Sequence, residues 1–101
     1  MSEGVELIAA ERRRQIADEG WTADHDISEH KNGSLALAAS LYAAGETLYR
    51  VQKTGTGYKV YDPWPWDPQY DKRRKHSRRR QLEIAGALIA AELDRMIRDN
   101  R

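Results

Sequence analysis

The sequence predicts an α+β fold, mostly α, with three helices around one small core, a β-hairpin and a Trp/Pro-rich loop. Three observations lead to this prediction. Apolar residues recur at helical spacing in three segments, two short β-prone runs flank a turn of alternating Thr and Gly, and three prolines fall within six residues. A chain of 101 residues has the usual length of one domain, so we expect a single domain over residues 1–101.

The first helix is predicted from about Val5 to Glu19 and the second from about Ser34 to Ala44. One face of the first carries apolar side chains and an arginine stem at helical spacing: Val5, Ile8, Ala9, Arg12 and Ile16. Gly20 fits the left-handed residue that ends a helix. The run SLALAASLYAA is apolar nearly all round, which is typical of a buried central helix. Ser34 is its expected N-cap and Gly45 its expected stop.

A hairpin is predicted next, with strands at 48–51 and 58–61 and a turn at 54–57. Prolines hold residues 62–68 extended, and this loop and the hairpin are expected to close one side of the core. The last helix is predicted from about Ser77 to Asp99. Its apolar stripe consists of Leu82, Ala85, Gly86, Ile89, Leu93, Met96 and Ile97. Because glycine costs a helix about 1 kcal/mol relative to alanine, Gly86 is expected to permit close approach of the helix at 36–44.

Composition narrows the function classes. The absence of Cys excludes disulfide frameworks, thiolate zinc sites and cysteine nucleophiles. No apolar run approaches the roughly 20 residues that span a bilayer. The first residues also lack the basic start and apolar centre of a signal peptide. These features predict a cytoplasmic protein.

The charges are unevenly distributed. Residues 1–30 carry eight acids and three arginines, a net charge of −5, whereas residues 72–80 read KRRKHSRRR and contain seven Lys and Arg but no acid. Arg78, Arg79 and Arg80 fall where a helix N-terminus disfavours cations. A bound phosphate or the acids of the N-terminal third would offset that cost, while a solvated charged surface is the plainer interpretation.

The Trp-Pro-Trp stretch is the first candidate binding element. Stiff extended backbone sends Trp64 and Trp66 to the same side, so that they would form a stacking platform for a flat ligand such as a nucleobase, which Tyr61 and Tyr70 could extend. The alternative is that these rings fill the core of a chain that has no Phe.

The segment from Trp21 to His30 is the second candidate. His25, Asp26 and His30 could form an acid/base pair or part of a metal site, but their spacing is not that of a strong metal motif. Capping of a turn and backbone hydrogen bonds explain them equally well. A serine nucleophile elbow, a Walker-type loop and a dinucleotide fingerprint are all missing from the sequence. We therefore expect neither catalysis nor a cofactor or metal.

Three groups of residues resemble a family of small bacteriophage and prophage proteins. They follow the patterns GWTxxHD from Gly20, LAxAAxxYA from Leu35, and WPWD from Trp64 leading to AGALIxAE from Ala85. The stretch from Arg12 through Gly20-Trp21-Thr22 to Asp26 is also faintly similar to the ryanodine-receptor repeat domain. Bacterial and phage relatives of that domain are thought to bind nucleotides, so the resemblance implies a nucleotide-like ligand.

Together these features predict a phage anti-defence protein that sequesters a nucleotide-derived immune signal, a cyclic nucleotide or an ADP-ribose derivative, inside the infected host. The expected contacts are the indoles of Trp21, Trp64 and Trp66, the cations Lys75, Arg78 and Arg79, and the polar side chains His25 and Asp26. The long striped last helix also suggests a homo-oligomer. The alternatives are a protein inhibitor of a host nuclease or CRISPR-type defence complex, a phage nucleic-acid-binding protein that uses residues 72–80, and a His/Asp metal-dependent hydrolase.

Overall fold

The computed structural model describes residues 2–22, 25–26, 33–45 and 49–100. Its main elements are α1 (Glu3–Glu19), α2 (Ser34–Ala44), β1 (Arg50–Lys53), β2 (Tyr58–Tyr61) and α3 (Arg78–Asp99), and two short 3-10 helices at Pro68–Tyr70 and Arg73–Lys75 precede α3. The predicted α+β, mostly α fold is confirmed. Within the described ranges, no helix combines the length and the apolar character needed to cross a membrane.

Local capping sets the helix ends. Ser2 caps α1 by accepting a hydrogen bond from the Val5 N–H (3.2 Å), and Gly20 ends it at φ +72°. Ser77 caps α3 through the Arg80 N–H (3.2 Å). The bounds predicted for α2 and its end at Gly45 are confirmed. The predicted Ser34 cap is wrong, because Gly33 at φ +81° is the N-cap and Ser34 is already helical.

The apolar core lies mainly between α2 and α3. It is formed by Leu35, Ala38, Ala39, Tyr42, Ile84, Ala85, Leu88 and Ala91. Helix α1 packs on α3, but its buried side chains are Glu11, Arg12 and Gln15. The apolar face predicted for α1 is therefore only partly correct. Arg12 is buried as expected, whereas Val5 and Ile16 are exposed, because α1 turns a polar face toward the rest of the molecule.

The apolar stripe predicted for α3 is also largely exposed. Ala85 is buried, but Leu82, Ile89, Leu93, Met96 and Ile97 lie on the surface. The side of α3 that faces α2 instead presents Ile84, Leu88 and Ala91. Gly86 does permit close approach, but of α1 and not of α2: a Cβ atom built there would lie 2.5 Å from Ile8 Cδ1.

The predicted hairpin forms with antiparallel register, in which Arg50 pairs with Tyr61 and Lys53 with Tyr58. Its turn is closed by a hydrogen bond from the Thr54 N–H to the Gly57 carbonyl (2.7 Å). Both strands are exposed along nearly their whole length. The expectation that the hairpin closes the core is therefore wrong. The Trp/Pro-rich loop does close it, as expected, through Trp64 and Trp66.

Candidate functional site

A cleft of about 850 Å³ lies where α1, the Trp/Pro-rich loop and the start of α3 meet. Its lining combines aromatic and charged side chains. These are Glu11, Arg14, Gln15, Glu19, Trp21, His25, Tyr42, Trp64, Trp66, Asp67, Tyr70, Lys72, Lys75, His76, Arg80, Ile84 and Leu88. Five of the eight residues predicted to bind ligand line it: Trp21, His25, Trp64, Trp66 and Lys75.

The three indoles form a connected aromatic wall. The rings of Trp64 and Trp66 meet edge to face at 5.4 Å between centroids, and Trp21 lies 6.4 Å from Trp66. All three are half-buried, pack against the core and line the cleft. The indoles therefore act both as core residues and as a surface on which a ligand could stack. Each ring is fixed by packing on one side and faces the cleft with the other.

Short-range polar contacts hold Trp64 in place. Its backbone N–H donates to Asp62 Oδ1 (3.0 Å), and its indole N–H donates to the Asp67 carbonyl (3.2 Å). The guanidinium of Arg73 lies 5.3 Å from the ring centroid, within range of a cation–π interaction. The loop therefore presents the indole in one orientation.

Arg73 is itself buried and held by two carboxylates. It donates to Asp62 Oδ2 (2.7 Å) and to both carboxylate oxygens of Asp71 (2.9 and 2.6 Å). Burial of Asp71 favours its neutral form, but the hydrogen bonds and charge of Arg73 outweigh this effect and lower the pKa of the carboxyl. Asp71 is therefore ionised at neutral pH, and the three side chains form a charged support under Trp64.

A buried carboxylate organises the part of the cleft that α1 and α3 form. Glu11 accepts hydrogen bonds from Arg14 Nε (2.8 Å) and Nη2 (3.1 Å), from Gln15 Nε2 (3.0 Å) and from Arg80. Its burial favours the neutral acid, but these donors lower its pKa overall. The ionised carboxylate therefore holds two guanidinium groups, one from α1 and one from α3, at the cleft.

The amide of Gln15 is oriented by the same carboxylate. Gln15 is fully buried, and its Nε2 must face Glu11 because an ionised carboxylate can only accept hydrogen bonds. Its Oε1 consequently points away from Glu11. That oxygen is buried and has no hydrogen-bond partner within the described part of the chain.

Two lysines supply cations that are not committed to carboxylates. Lys72 and Lys75 line the cleft, and neither forms an ion pair among the described residues. His76 lies beside them. Its burial and the positive charge of Arg80 lower its pKa, which favours the neutral imidazole. The lining of the cleft therefore combines the aromatic wall with two lysines that have no carboxylate partner among the described residues.

His25 and Asp26 form a pair at the edge of the cleft. His25 Nδ1 lies 3.1 Å from Asp26 Oδ1, and Asp26 is fully buried. Asp26 therefore orients the ring of His25 but does not line the cleft itself. Thr22 accepts the His25 N–H at its hydroxyl (3.2 Å), which fits the capping interpretation. His30 lies outside the described residues, and no three described His, Asp or Glu side chains form a group that could hold a metal ion.

The structure does not bring Arg78 and Arg79 to the cleft. Arg78 donates to the carbonyls of Tyr42 (3.3 Å) and Ala43 at the end of α2. The unfavourable cation at the start of α3 is thus offset by the negative end of another helix. Arg79 is largely exposed and pairs with Glu83 (3.6 Å).

Sequence reasoning missed several lining residues, among them Arg14, Gln15, Lys72, His76 and Arg80. A signal for the first two was present, because Glu11, Arg14 and Gln15 follow i, i+3, i+4 spacing and share one helix face. Because that face is polar, apolar periodicity does not mark it as buried.

Comparison with known proteins assigns no family. No protein-family model matches the chain, and no solved structure matches it. A segment of 65 residues is 28% identical to part of a dual specificity protein kinase YAK1 homolog from Arabidopsis thaliana. The match covers 64% of this chain and 7% of that kinase, so the chain spans a small fraction of its relative.

Proposed function

We propose that this protein binds and sequesters a nucleotide-derived signalling molecule, a cyclic nucleotide or an ADP-ribose derivative, without transforming it. One observation carries the proposal: three indoles and a set of cations line the same cleft of about 850 Å³. Stacking on indoles suits any nucleobase, and lysine and arginine bind phosphate. The volume falls within the range usual for small-molecule sites.

The arrangement of the walls suggests how such a ligand lies. The base stacks against Trp66, between Trp21 and Trp64, because these rings adjoin one another. The phosphates meet Lys72 and Lys75, whose charges have no carboxylate partner among the described residues. Arg14 and Arg80 are already paired with Glu11, so they attract the phosphates mainly through their charge and not by direct hydrogen bonds.

The biological role follows from the resemblance to phage proteins. A phage product that removes a host immune signal needs only stoichiometric binding, which this cleft suits. We therefore propose an anti-defence role in the infected host.

Calorimetric titration tests the proposal. The panel consists of cyclic mono- and dinucleotides and ADP-ribose, at protein concentrations of tens of micromolar. We expect saturable binding of at least one compound, weakened about 5- to 150-fold by Trp66→Ala, since one base–aromatic stack contributes about 1–3 kcal/mol. Tyr58→Ala, which removes an exposed aromatic of the hairpin, is the matched control.

The imidazole of His76 gives a second readout. Its pKa is lowered in the free protein by burial and by the charge of Arg80. A phosphate bound beside it would partly cancel that charge, so the pKa followed by NMR should rise on binding. Absence of heat with every compound, together with an unchanged His76 titration, would contradict the proposal.

A second candidate function rests on a different surface, which we call the α3 stripe: Leu82, Ile89, Leu93, Met96 and Ile97. All five side chains are about half exposed, and contiguous apolar surface commonly marks a protein contact. The stripe suits a contact with a host protein that the chain inhibits, and it equally suits the expected homo-oligomer. Light scattering of the purified chain separates the two, because only self-association enlarges the particle without an added partner.

A further inference from the structure

We infer that the cleft selects a nucleobase bearing an exocyclic amino group and reads that group with Gln15 Oε1. This inference rests on the proposed function and adds the chemistry of the base. Its starting point is the fully buried amide of Gln15, which belongs to the cleft lining. The Oε1 atom is a hydrogen-bond acceptor with no donor among the described residues.

The orientation of the amide makes this acceptor a defined feature. Nε2 donates to Glu11 (3.0 Å), and Glu11 also accepts from Arg14 and Arg80. An amide flip would turn the Gln15 oxygen toward an ionised carboxylate, which has no proton to donate. The contacts of Glu11 therefore fix which atom of Gln15 is left for a ligand.

A buried acceptor without a donor is costly, and pairing it is correspondingly selective. An amino group on the ring would supply the missing proton, whereas a carbonyl at the same ring position would place two acceptors against each other. Solvent barely reaches Oε1. Binding must therefore shift side chains that line the cleft, so that the edge of the base reaches it.

The indoles and the Gln15 amide contribute differently to binding of the base. Stacking on Trp21 and Trp66 is tolerant of base identity because every base has an aromatic face. The edge of the base is the part that differs between amino and oxo bases. Gln15 would therefore add selectivity to a site whose affinity comes mainly from stacking and charge.

The test compares amino and oxo forms of one ligand on the unmodified chain. The probe pairs are cyclic AMP with cyclic IMP, cyclic CMP with cyclic UMP, and ADP-ribose with its inosine analogue, each titrated by calorimetry. We expect the amino member of a bound pair to bind about 10- to 100-fold more tightly. Equal binding, or preference for the oxo member, overturns this inference and leaves the proposed function standing. Binding of none of these probes overturns this inference, and absence of heat with the cyclic dinucleotides as well overturns the proposed function.

A substitution then assigns the selectivity to its residue. Gln15→Met keeps the length of the side chain and removes the acceptor, so the preference should fall to within about threefold, while stacking on Trp66 is retained. Gln52→Met on the exposed strand β1 is the matched control and should leave the preference unchanged. Thermal unfolding of both variants verifies that they fold. A Gln15→Met protein that is folded and keeps the full preference refutes the assignment to Gln15.

Discussion

Replacing Arg73 by methionine should lower the free energy of unfolding and also remove a contact that holds the indole of Trp64 in place. Arg73 is 4% exposed, and its guanidinium donates to Asp62 and Asp71 and lies 5.3 Å from the centre of the Trp64 ring. Methionine fills most of the space of the arginine stem but provides no charge. Two carboxylates would then be left beneath an indole without their cation.

The magnitude follows from the burial of each partner. Removing one member of a fully buried ion pair costs about 3–5 kcal/mol. The side chains of Asp62 and Asp71 are 42% and 24% exposed, so water can solvate them after the change. The substitution also removes Arg73 Nη1, a buried donor with no partner in the described chain. We therefore expect a loss of about 2–3 kcal/mol, which lowers the melting temperature by about 10–20 °C in a domain of this size.

The assay is urea and thermal unfolding, followed by circular dichroism and by tryptophan fluorescence. The control is Arg13→Met, which changes an exposed arginine of α1 and should alter the free energy of unfolding by less than about 0.5 kcal/mol. A stability equal to that of the unmodified protein in Arg73→Met would refute the structural role assigned to Arg73.

Acid unfolding provides an independent check. The pKa of Asp71 in the folded protein lies below its ordinary value of 3.8, so the ion pair contributes fully above that value. The contribution is lost as the pH falls through the lower pKa of the folded state. The difference in stability between the unmodified protein and Arg73→Met should therefore shrink below about pH 4. A difference that stays constant down to pH 2 would contradict this assignment.

Two further predictions concern helix packing. Gly86→Ala places a Cβ atom 2.5 Å from Ile8 Cδ1, and the overpacking cost of about 1–3 kcal/mol outweighs the roughly 1 kcal/mol gained in helix propensity. Urea unfolding should therefore show a lower free energy of unfolding, whereas adding Gly86→Ala to an Ile8→Ala protein should raise the free energy of unfolding of that protein. Stabilisation by Gly86→Ala alone would refute the close approach. If the α3 stripe pairs with a second copy of the chain, Leu93→Glu should lower the mass measured by light scattering. Val51→Glu on the hairpin is the control and should leave the mass unchanged. An unmodified chain that is monomeric at every concentration tested would contradict self-association.

The parts of the fold that were predicted correctly depend on local signals. Helix α2 was predicted with its observed bounds because an apolar run lies between Gly33 and Gly45, which both adopt positive φ. The buried face of α1 could not be predicted in the same way. Glu11 is buried because Arg80, which lies 69 positions further along the chain, donates to it. Apolar periodicity carries no information about such a partner.

The site was predicted in part for a similar reason. The indoles and Lys75 could be proposed from residue type alone, and they do line one cleft. Choosing among Arg78, Arg79 and Arg80 required the rotational phase of α3, because successive helical residues point about 100° apart. That phase is set by packing against α2 and α1, so the sequence identified the arginine cluster without identifying which member faces the cleft.

The contact of Arg78 with the end of α2 also bears on how the molecule tolerates change. The guanidinium of Arg78 links the last turn of one helix to the first turn of the next, and Gly45 leaves just enough room for it, since a Cβ there would lie 3.4 Å from Nη1. The end of α2 and the start of α3 are therefore joined by a contact in which the hairpin takes no part. Lengthening the hairpin at Gly55, or inserting a reporter peptide there, should therefore leave the Arg78 contact and the packing of the helices unchanged.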